Sequence, residues 1–347
     1  MTLKLCAAFV LSLLFAAAFG KVYIPWLRKI KAGQSIKEIG PSWHMSKQGT
    51  PTMGGVLFIG GAALACLTVG FPSILKGNWV HIGILVFAMV FGAIGFLDDW
   101  EKLRHHANTG LTAGRKFLLQ LAAALVFILL MRYIGVTTPN LYIPFTGNTV
   151  PMPEWLYISF AAFVIVGTVN AVNLTDGLDG LASGVSLPVC LFFVAVTFVW
   201  GETYLEQGIF ASALLGGLVG FLSYNFYQAK VFMGDTGSLF LGGAIAAMAF
   251  AYDMPMILLT VGVIYIIETV TDLIQVGVFK LSHGKWGFYD AFNGRRVFRM
   301  APFHHHLEKG GWSGHKWKET EIWVLFVGIS ALFCVISFIW VKSRYHI

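Results

Sequence analysis

The sequence predicts an all-α, polytopic membrane protein with about ten transmembrane helices. The chain has 347 residues, of which 57% are hydrophobic and only 12% are charged, and its mean hydropathy is +0.73. Soluble domains carry about 25% charged residues. No hydrophilic stretch between the apolar runs is long enough to fold alone. We therefore expect residues 1–347 to form a single transmembrane domain.

The transmembrane helices are read from runs of about 20 mostly apolar residues. Their approximate positions are 4–25, 53–72, 79–97, 117–134, 155–172, 180–200, 207–225, 237–252, 256–279 and 321–341. The first run also resembles a signal peptide, because Ala16-Ala17-Ala18 imitates a cleavage site. Nine further apolar runs favour an uncleaved first helix. The proline-rich stretch 135–154 predicts a short hairpin between the fourth and fifth spans.

Lysine and arginine are distributed unequally between the two ends of these spans. Nineteen of the 24 fall at one predicted face and five at the other. Basic residues concentrate in cytoplasmic loops, so the first face is predicted to be cytoplasmic and both termini extracytoplasmic. The net charge of +7 does not indicate nucleic-acid binding, because the basic residues lie in short loops between spans. The four cysteines all lie in apolar runs, which predicts buried thiols and no disulfide or zinc site.

Four polar motifs stand at the predicted cytoplasmic ends of the spans. They are Phe96-Leu97-Asp98-Asp99, Asn173 to Gly180, Met233 to Ser238, and Pro302 to His306. Hydrocarbon does not solvate a carboxylate, so an acid at the edge of a span indicates function. Because all four motifs share one face, we expect a single polar site, suited to chemistry between a water-soluble anion and a lipid.

Three acids predict a magnesium site. Asp98 and Asp99 end the third span, and Asp235 precedes the eighth. Neighbouring carboxylates repel one another and need a compensating cation. Mg²⁺ takes a few carboxylate oxygens and completes its shell with phosphate and water. Lys102 and Lys116 follow closely in sequence, which argues against a plain solvated helix end.

Two further segments have the composition of a site for an anion. Polar residues at intervals of three link the fifth and sixth spans, namely Asn170, Asn173, Asp176 and Asp179. That stretch is too polar for a simple connection between membrane helices. Lys47 precedes the glycine-rich segment Gly49 to Gly55, which suits an anionic ligand but is not a P-loop, because the lysine comes first.

The longest predicted cytoplasmic loop contains His304, His305 and His306. Consecutive side chains do not easily converge on one metal, so phosphate binding or proton transfer is favoured over a zinc site. In the span before them, Glu268 and Asp272 share one helix face. A structural role, a place near lipid headgroups and a catalytic role are all compatible with this pair.

Together these motifs resemble the phospho-N-acetylmuramoyl-pentapeptide-transferases, a family of polyprenyl-phosphate N-acetylhexosamine-1-phosphate transferases that makes lipid I for bacterial peptidoglycan. The resemblance covers nearly the whole chain. It is carried by Gly40-Pro41, His44, Lys47, Gly49 to Gly55, Asp98-Asp99, Lys102, Asn108, Gly110-Leu111, Lys116, Asn170 to Ala182, Asn225, Phe232 to Ser238 and Arg299 to His306. One departure is Glu319-Thr320-Glu321-Ile322-Trp323, where the family usually has an Arg-Phe-Trp-like segment.

The resemblance implies transfer from UDP-MurNAc-pentapeptide to undecaprenyl phosphate, giving lipid I and UMP. It also implies a Mg²⁺-dependent enzyme of the bacterial inner membrane that acts at the cytoplasmic face, forms a homodimer, and serves cell-wall formation, cell shape and division. Direct attack is favoured over an aspartyl-phosphate intermediate.

The resemblance also assigns roles to residues. Asp99 and Asp235 would hold Mg²⁺, and Asp98 would deprotonate or orient the lipid phosphate. The remaining substrate-binding residues would position phosphates, surround the uridine or cover the sugar. They are Lys102, Lys116, Asn170, Asn173, Asp176, Asp179, Asn225, Phe232, His305 and His306, together with Lys47 and His304, which the resemblance counts with the three acids among the catalytic residues.

Two other functions fit parts of the sequence. A transporter also buries acids in membrane helices, but it is expected to hold them near the midplane and to contain paired broken helices or inverted repeats. A transporter is disfavoured because this sequence has its acids at one predicted face and shows no such repeat. The closer alternative is a transferase of the same superfamily that uses UDP-N-acetylglucosamine. The run Met300 to Glu308 favours the muramoyl-pentapeptide branch, because the other branch typically has His-X-His-His.

Overall fold

The computed structural model describes residues 1–30, 47, 49–105, 110–282 and 297–344. Gly40, Pro41, His44 and Asn108, which contribute to the resemblance, lie outside these residues. The helices are α1 (Thr2–Lys29), α2 (Val56–Thr68), α3 (Phe71–Leu75), α4 (Val80–His105), α5 (Ala113–Tyr133), α6 (Glu154–Thr175), α7 (Leu181–Trp200), α8 (Leu205–Asn225), α9 (Gly234–Ala251), α10 (Leu258–Val261), α11 (Val263–Leu281), α12 (Phe303–Glu308) and α13 (Glu319–Arg344).

The all-α, polytopic prediction is confirmed. Among the described residues, eight helices are long and apolar enough to cross a membrane, namely α1, α4, α5, α6, α7, α8, α9 and α13. The predicted ninth span is broken: 255–261, which ends in α10, meets α11 at an angle of 81°. Counted as one span, this bent pair brings the total to nine.

The second predicted span, 53–72, is shorter than expected. Only the 13 residues of α2 are helical at its core, which is about 20 Å of rise against about 30 Å of hydrocarbon. The preceding segment is instead tied to the segment before α9. Gly54 and Gly55 donate their N–H groups to the carbonyls of Phe232 and Met233, and Pro51 accepts from Phe232 N.

The hairpin predicted within 135–154 is present. Strands β1 (Asn140–Tyr142) and β2 (Thr149–Pro151) pair antiparallel, with Leu141 opposite Val150. The hairpin lies between α5 and α6, at the opposite end of these helices from the acidic motifs.

The core is built around α9. This helix is buried along nearly its whole length and packs on α4 and α6, whereas α1 packs along α8 and, like α5 and α13, leaves most of its surface exposed. The close approach of α4 and α9 requires glycine at position 95, because a Cβ there would lie 2.0 Å from the Asp235 carbonyl oxygen. The acidic end of α4 is thus brought against the beginning of α9.

Candidate active site

A cluster of opposite charges forms where α4, α5 and α9 meet. The Lys102 ammonium lies 2.5 Å from Asp98 Oδ2 and 2.7 Å from Asp235 Oδ2. The Lys116 ammonium lies 3.0 Å from Asp235 Oδ2 and 3.9 Å from Asp98 Oδ2. Leu111 N donates to Asp98 Oδ1 at 2.8 Å. Four predicted residues, from three helices, therefore share one site.

Asn173, at the end of α6, joins this cluster. Its side-chain amide nitrogen donates to Asp235 Oδ1 and to Ser238 Oγ, both at 2.7 Å. Asp235 is thus held by an amide on one oxygen and by two ammonium groups on the other. The arrangement fixes the direction of its carboxylate.

Asp99 has a different role from its neighbour. Its carboxylate accepts from Asp235 N at 3.2 Å, from Thr236 N at 2.9 Å and from Thr236 Oγ1 at 2.7 Å. These are N–H groups of the first turn of α9, whose own N-cap residue, Met233, supplies no side-chain cap. Asp99 therefore caps α9 from the neighbouring helix, a contact that stabilises the helix start.

The donor set fits a magnesium ion that is shared with a phosphate-bearing substrate. Within the described ranges, no three His, Cys, Asp or Glu side chains form a ready metal site. Asp98 and Asp235, however, both direct an oxygen at one cation, the Lys102 ammonium. Mg²⁺ sites of this type use one or two carboxylates and complete their shell with phosphates and water.

Lys47 lies in a second group of charges. Its ammonium is 2.8 Å from Asp179 Oδ1 and 2.6 Å from Glu319 Oε2. Burial opposes the charge on Lys47, but Glu319 and Asp179 outweigh it and raise the pKa of this lysine. Asp179 Oδ2 also accepts from Ala229 N at 2.9 Å. The group ties the loop after α6 to the loop after α8 and to the first turn of α13.

Asp176 is repelled by acids of both groups of charges. It ends α6. Burial, followed by repulsion from Asp235, Asp99 and Asp179, raises the pKa of Asp176 well above its usual value. A group whose charged form is disfavoured in this way is suited to hold a proton, or to gain its charge when a cation binds.

The three histidines lie on the short helix α12. His304 and Glu268 of α11 are fully buried, with His304 Nδ1 2.6 Å from Glu268 Oε2 and His304 N donating to Glu268 Oε1 at 3.1 Å. Burial opposes protonation of His304, but Glu268 outweighs it and raises the pKa of the ring. His304 Nε2 has no hydrogen-bond partner among the described residues. It points at Gly177, where a Cβ would lie 2.2 Å away.

The other two histidines have local partners. His305 Nδ1 is 2.7 Å from Glu308 Oε2. His306 Nδ1 accepts from Arg299 N at 3.0 Å, and burial together with Arg299 lowers the pKa of His306.

Three residues predicted to bind substrate have packing or loop-holding contacts in the structure. Asn170 donates to Gln120 Oε1 and to the Val166 carbonyl. Asn225 is buried, accepts from Ser183 Oγ and donates to the Val231 carbonyl. The Phe232 backbone pairs with Pro51 and Gly54, as described above. These contacts shape the segments that carry the charged groups.

Sequence reasoning missed two residues of the site. The sequence leaves Glu268 open between a structural role, a place near lipid headgroups and a catalytic role, and its signal is an acid in the middle of an apolar run. Glu319 was noted only as a departure from the family pattern, yet it pairs with Lys47.

Comparison with known proteins identifies the family of this chain. Residues 81–253 match the model of Glycosyl transferase family 4, and residues 47–59 match phospho-N-acetylmuramoyl-pentapeptide-transferase signature 1. A phospho-N-acetylmuramoyl-pentapeptide-transferase of Clostridium acetobutylicum is 43% identical over 331 residues, which is 95% of this chain and 96% of that protein. Those of Listeria monocytogenes (42% over 318 residues, 91% of each chain) and Desulforudis audaxviator (40% over 339 residues, 95% and 96%) are similarly close. The chain belongs to the phospho-N-acetylmuramoyl-pentapeptide-transferase family.

Proposed function

We propose that this protein transfers phospho-N-acetylmuramoyl-pentapeptide from its UDP carrier to undecaprenyl phosphate, giving lipid I and UMP for peptidoglycan synthesis. The convergence of Asp98, Asp235, Lys102, Lys116 and Asn173 at the ends of membrane helices carries the proposal. A lipid phosphate and a sugar nucleotide are both anions and meet at the headgroup level. Family membership favours the muramoyl-pentapeptide donor over UDP-N-acetylglucosamine.

The reaction is a direct phosphoryl transfer. An oxygen of the lipid phosphate attacks the donor phosphorus that carries the sugar, the bond from that phosphorus to the bridging oxygen breaks, and UMP leaves. Such transfers depend mainly on positioning and on neutralising charge. Lys102 and Lys116 supply positive charge, and Asn173 fixes Asp235. Asp98, beside Lys102, orients the attacking phosphate.

The proposed cofactor is Mg²⁺. Asp235, which the resemblance also assigns to the metal, and Asp98 are the carboxylates that would hold it. Asp99, the other ligand that the resemblance implies, accepts hydrogen bonds from the first turn of α9, so we propose Asp98 in its place. When bound, the ion supplies further neutralisation of the donor diphosphate. Lys102, whose ammonium lies between the two acids, would supply positive charge to the phosphate oxygens.

The segment after α6 and the histidine helix border the donor site. Asp179 and Lys47 hold the loops on one side, and His304 directs Nε2 at Gly177 from the other. We propose that the space between the Lys47–Asp179 pair and His304 receives the uridine, sugar and phosphates of the donor. The walls of this space would be shaped by Asp176, Asn225, Phe232, His305 and His306. A protonated His304 adds positive charge towards the phosphates.

The proposal includes a membrane orientation. The whole chain forms one transferase domain in the bacterial inner membrane, with the charged cluster at the cytoplasmic face and both termini outside. The excess of basic residues at that face supports this orientation. A homodimer is proposed on family resemblance alone.

The test uses purified protein, undecaprenyl phosphate and Mg²⁺, with either UDP-MurNAc-pentapeptide or UDP-N-acetylglucosamine as donor. We expect UMP release and a new lipid product with the muramoyl donor only. Turnover of UDP-N-acetylglucosamine at a similar rate would contradict the assignment.

A further inference from the structure

A cavity of about 390 Å³ lies beside the histidine helix. Its described lining consists of Tyr227, Glu308 and the consecutive residues 316–320. Pockets that hold small molecules are commonly about 300–1,000 Å³. The cavity is therefore large enough for part of a ligand, and neither the reaction nor the charged cluster uses it.

The cavity touches the proposed donor site on two sides. Glu319, in its wall, is bonded to Lys47 and through it to Asp179. Glu308, also in its wall, is bonded to His305 and lies one helical turn, about 6 Å of rise, after His304. A donor held between these groups would extend naturally into the cavity.

The charges of the cavity favour an anion. The carboxylates of Glu308 and Glu319 are engaged by His305 and Lys47. Lys316 and Lys318 are exposed, and neither ammonium forms an ion pair with any residue that the structure describes. The wall therefore presents two unpaired cations, with Trp317 and Tyr227 as flat apolar surfaces beside them.

We propose that this cavity binds the peptide arm of the sugar-nucleotide donor, with Lys316 and Lys318 facing the carboxylate at its free end. The inference rests on the proposed function, since only a muramoyl-peptide donor carries such an arm. A pentapeptide joined to the sugar through its amino end has a free carboxylate at the other end. Extended, it reaches about 17 Å from the sugar.

The test compares two donors and a double variant. Wild type and K316Q/K318Q are assayed with UDP-MurNAc-pentapeptide and with the same donor whose terminal carboxylate is an amide. Loss of two charge-assisted contacts at a partly exposed site is expected to raise the KM for the normal donor roughly fivefold to tenfold, with kcat within about twofold. The amidated donor should show a raised KM in wild type and little further change in the variant.

Two controls distinguish binding in this cavity from a general loss of positive charge near the donor site. Lys280→Gln removes an exposed lysine at the end of α11 that does not line the cavity, and it should leave both donors unaffected. The KM for undecaprenyl phosphate should stay constant in K316Q/K318Q. The single variants K316Q and K318Q should each show part of the effect.

Distinct results would overturn the inference or the function. An unchanged KM in K316Q/K318Q, an equal increase for both donors, or a raised KM for the lipid phosphate would each refute a peptide-arm site while leaving the transferase assignment intact. A wild-type protein inactive with UDP-MurNAc-pentapeptide would instead refute the proposed function itself.

Discussion

Asp99 is expected to stabilise α9, with little part in binding the metal. In the variant Asp99→Asn, one carboxylate oxygen becomes an amide group that donates hydrogen bonds and no longer accepts them. The contact with Asp235 N is lost if the remaining oxygen stays with Thr236. The negative charge at the start of the helix is lost as well.

The size of the effect follows from these contacts. A hydrogen bond to a charged group contributes about 1.5–3 kcal/mol, and an acid at a helix N-terminus about 0.3–1 kcal/mol. We expect Asp99→Asn to lower the free energy of unfolding by about 2–3 kcal/mol. For a chain of this size that corresponds to a loss of roughly 5 °C in melting temperature.

The assay measures thermal unfolding in detergent and the Mg²⁺ concentration that gives half-maximal transfer. Asp99→Asn should unfold earlier, with a Mg²⁺ requirement within about twofold of wild type. Asp98→Asn and Asp235→Asn should raise that requirement about tenfold or more, the equivalent of about 1.4 kcal/mol. A variant Asp99→Asn with normal stability but a strongly raised Mg²⁺ requirement would refute the capping role and make Asp99 a metal ligand.

Three other predictions test neighbouring parts of the site. Exhaustive chelation with EDTA should abolish transfer, and added Mg²⁺ should restore it. Full turnover after chelation would exclude a requirement for a divalent metal ion. Glu268→Gln removes the largest influence that raises the His304 pKa, leaving Glu308 and Glu319 to act in the same direction. Because a protonated ring is lost as pH rises through its pKa, the alkaline decline of kcat should move to lower pH; an unchanged profile would exclude a protonated His304. Gly177→Ala should lower kcat about tenfold or more, because its Cβ would lie 2.2 Å from His304 Nε2. The control Gly167→Ala in α6 should leave kcat unchanged, because no atom lies within 4 Å of the added Cβ. Equal effects of the two substitutions on kcat would refute the contact between Gly177 and His304.

The sequence is a good guide to which residues come together in the site, and a poorer guide to which of them pair. Asp98, Asp235, Lys102, Lys116 and Asn173 come from four distant segments, and they meet because each lies at the same end of an apolar helix. The cost of burying charge in hydrocarbon makes this pattern readable in a single sequence.

The separate roles of Asp98 and Asp99 were not predictable in the same way. Adjacent residues on a helix point about 100° apart, so one carboxylate turns to the lysines and the other to α9. Which of them does which depends on the packing of α4 on α9 at Gly95. That packing leaves no trace in local sequence pattern.

Long-range pairs account for the remaining differences. Glu319 reaches Lys47 across 272 positions, and Glu268 reaches His304 across 36. Neither pair has a spacing that sequence periodicity reveals. The shortened second span has a similar cause, since Gly54 and Gly55 bond to the segment before α9 and leave the helix to begin at Val56.

The fate of the donor's phosphate tests the proposed reaction most directly. UDP-MurNAc-pentapeptide labelled in the phosphate next to the sugar is incubated with the purified protein, undecaprenyl phosphate and Mg²⁺, and the lipid and nucleotide products are separated. Attack on that phosphorus should carry the label into the lipid and release unlabelled UMP. Label recovered in UDP would mean that the bond to the sugar was broken instead, and would contradict phosphoryl transfer at the Asp98–Asp235 cluster.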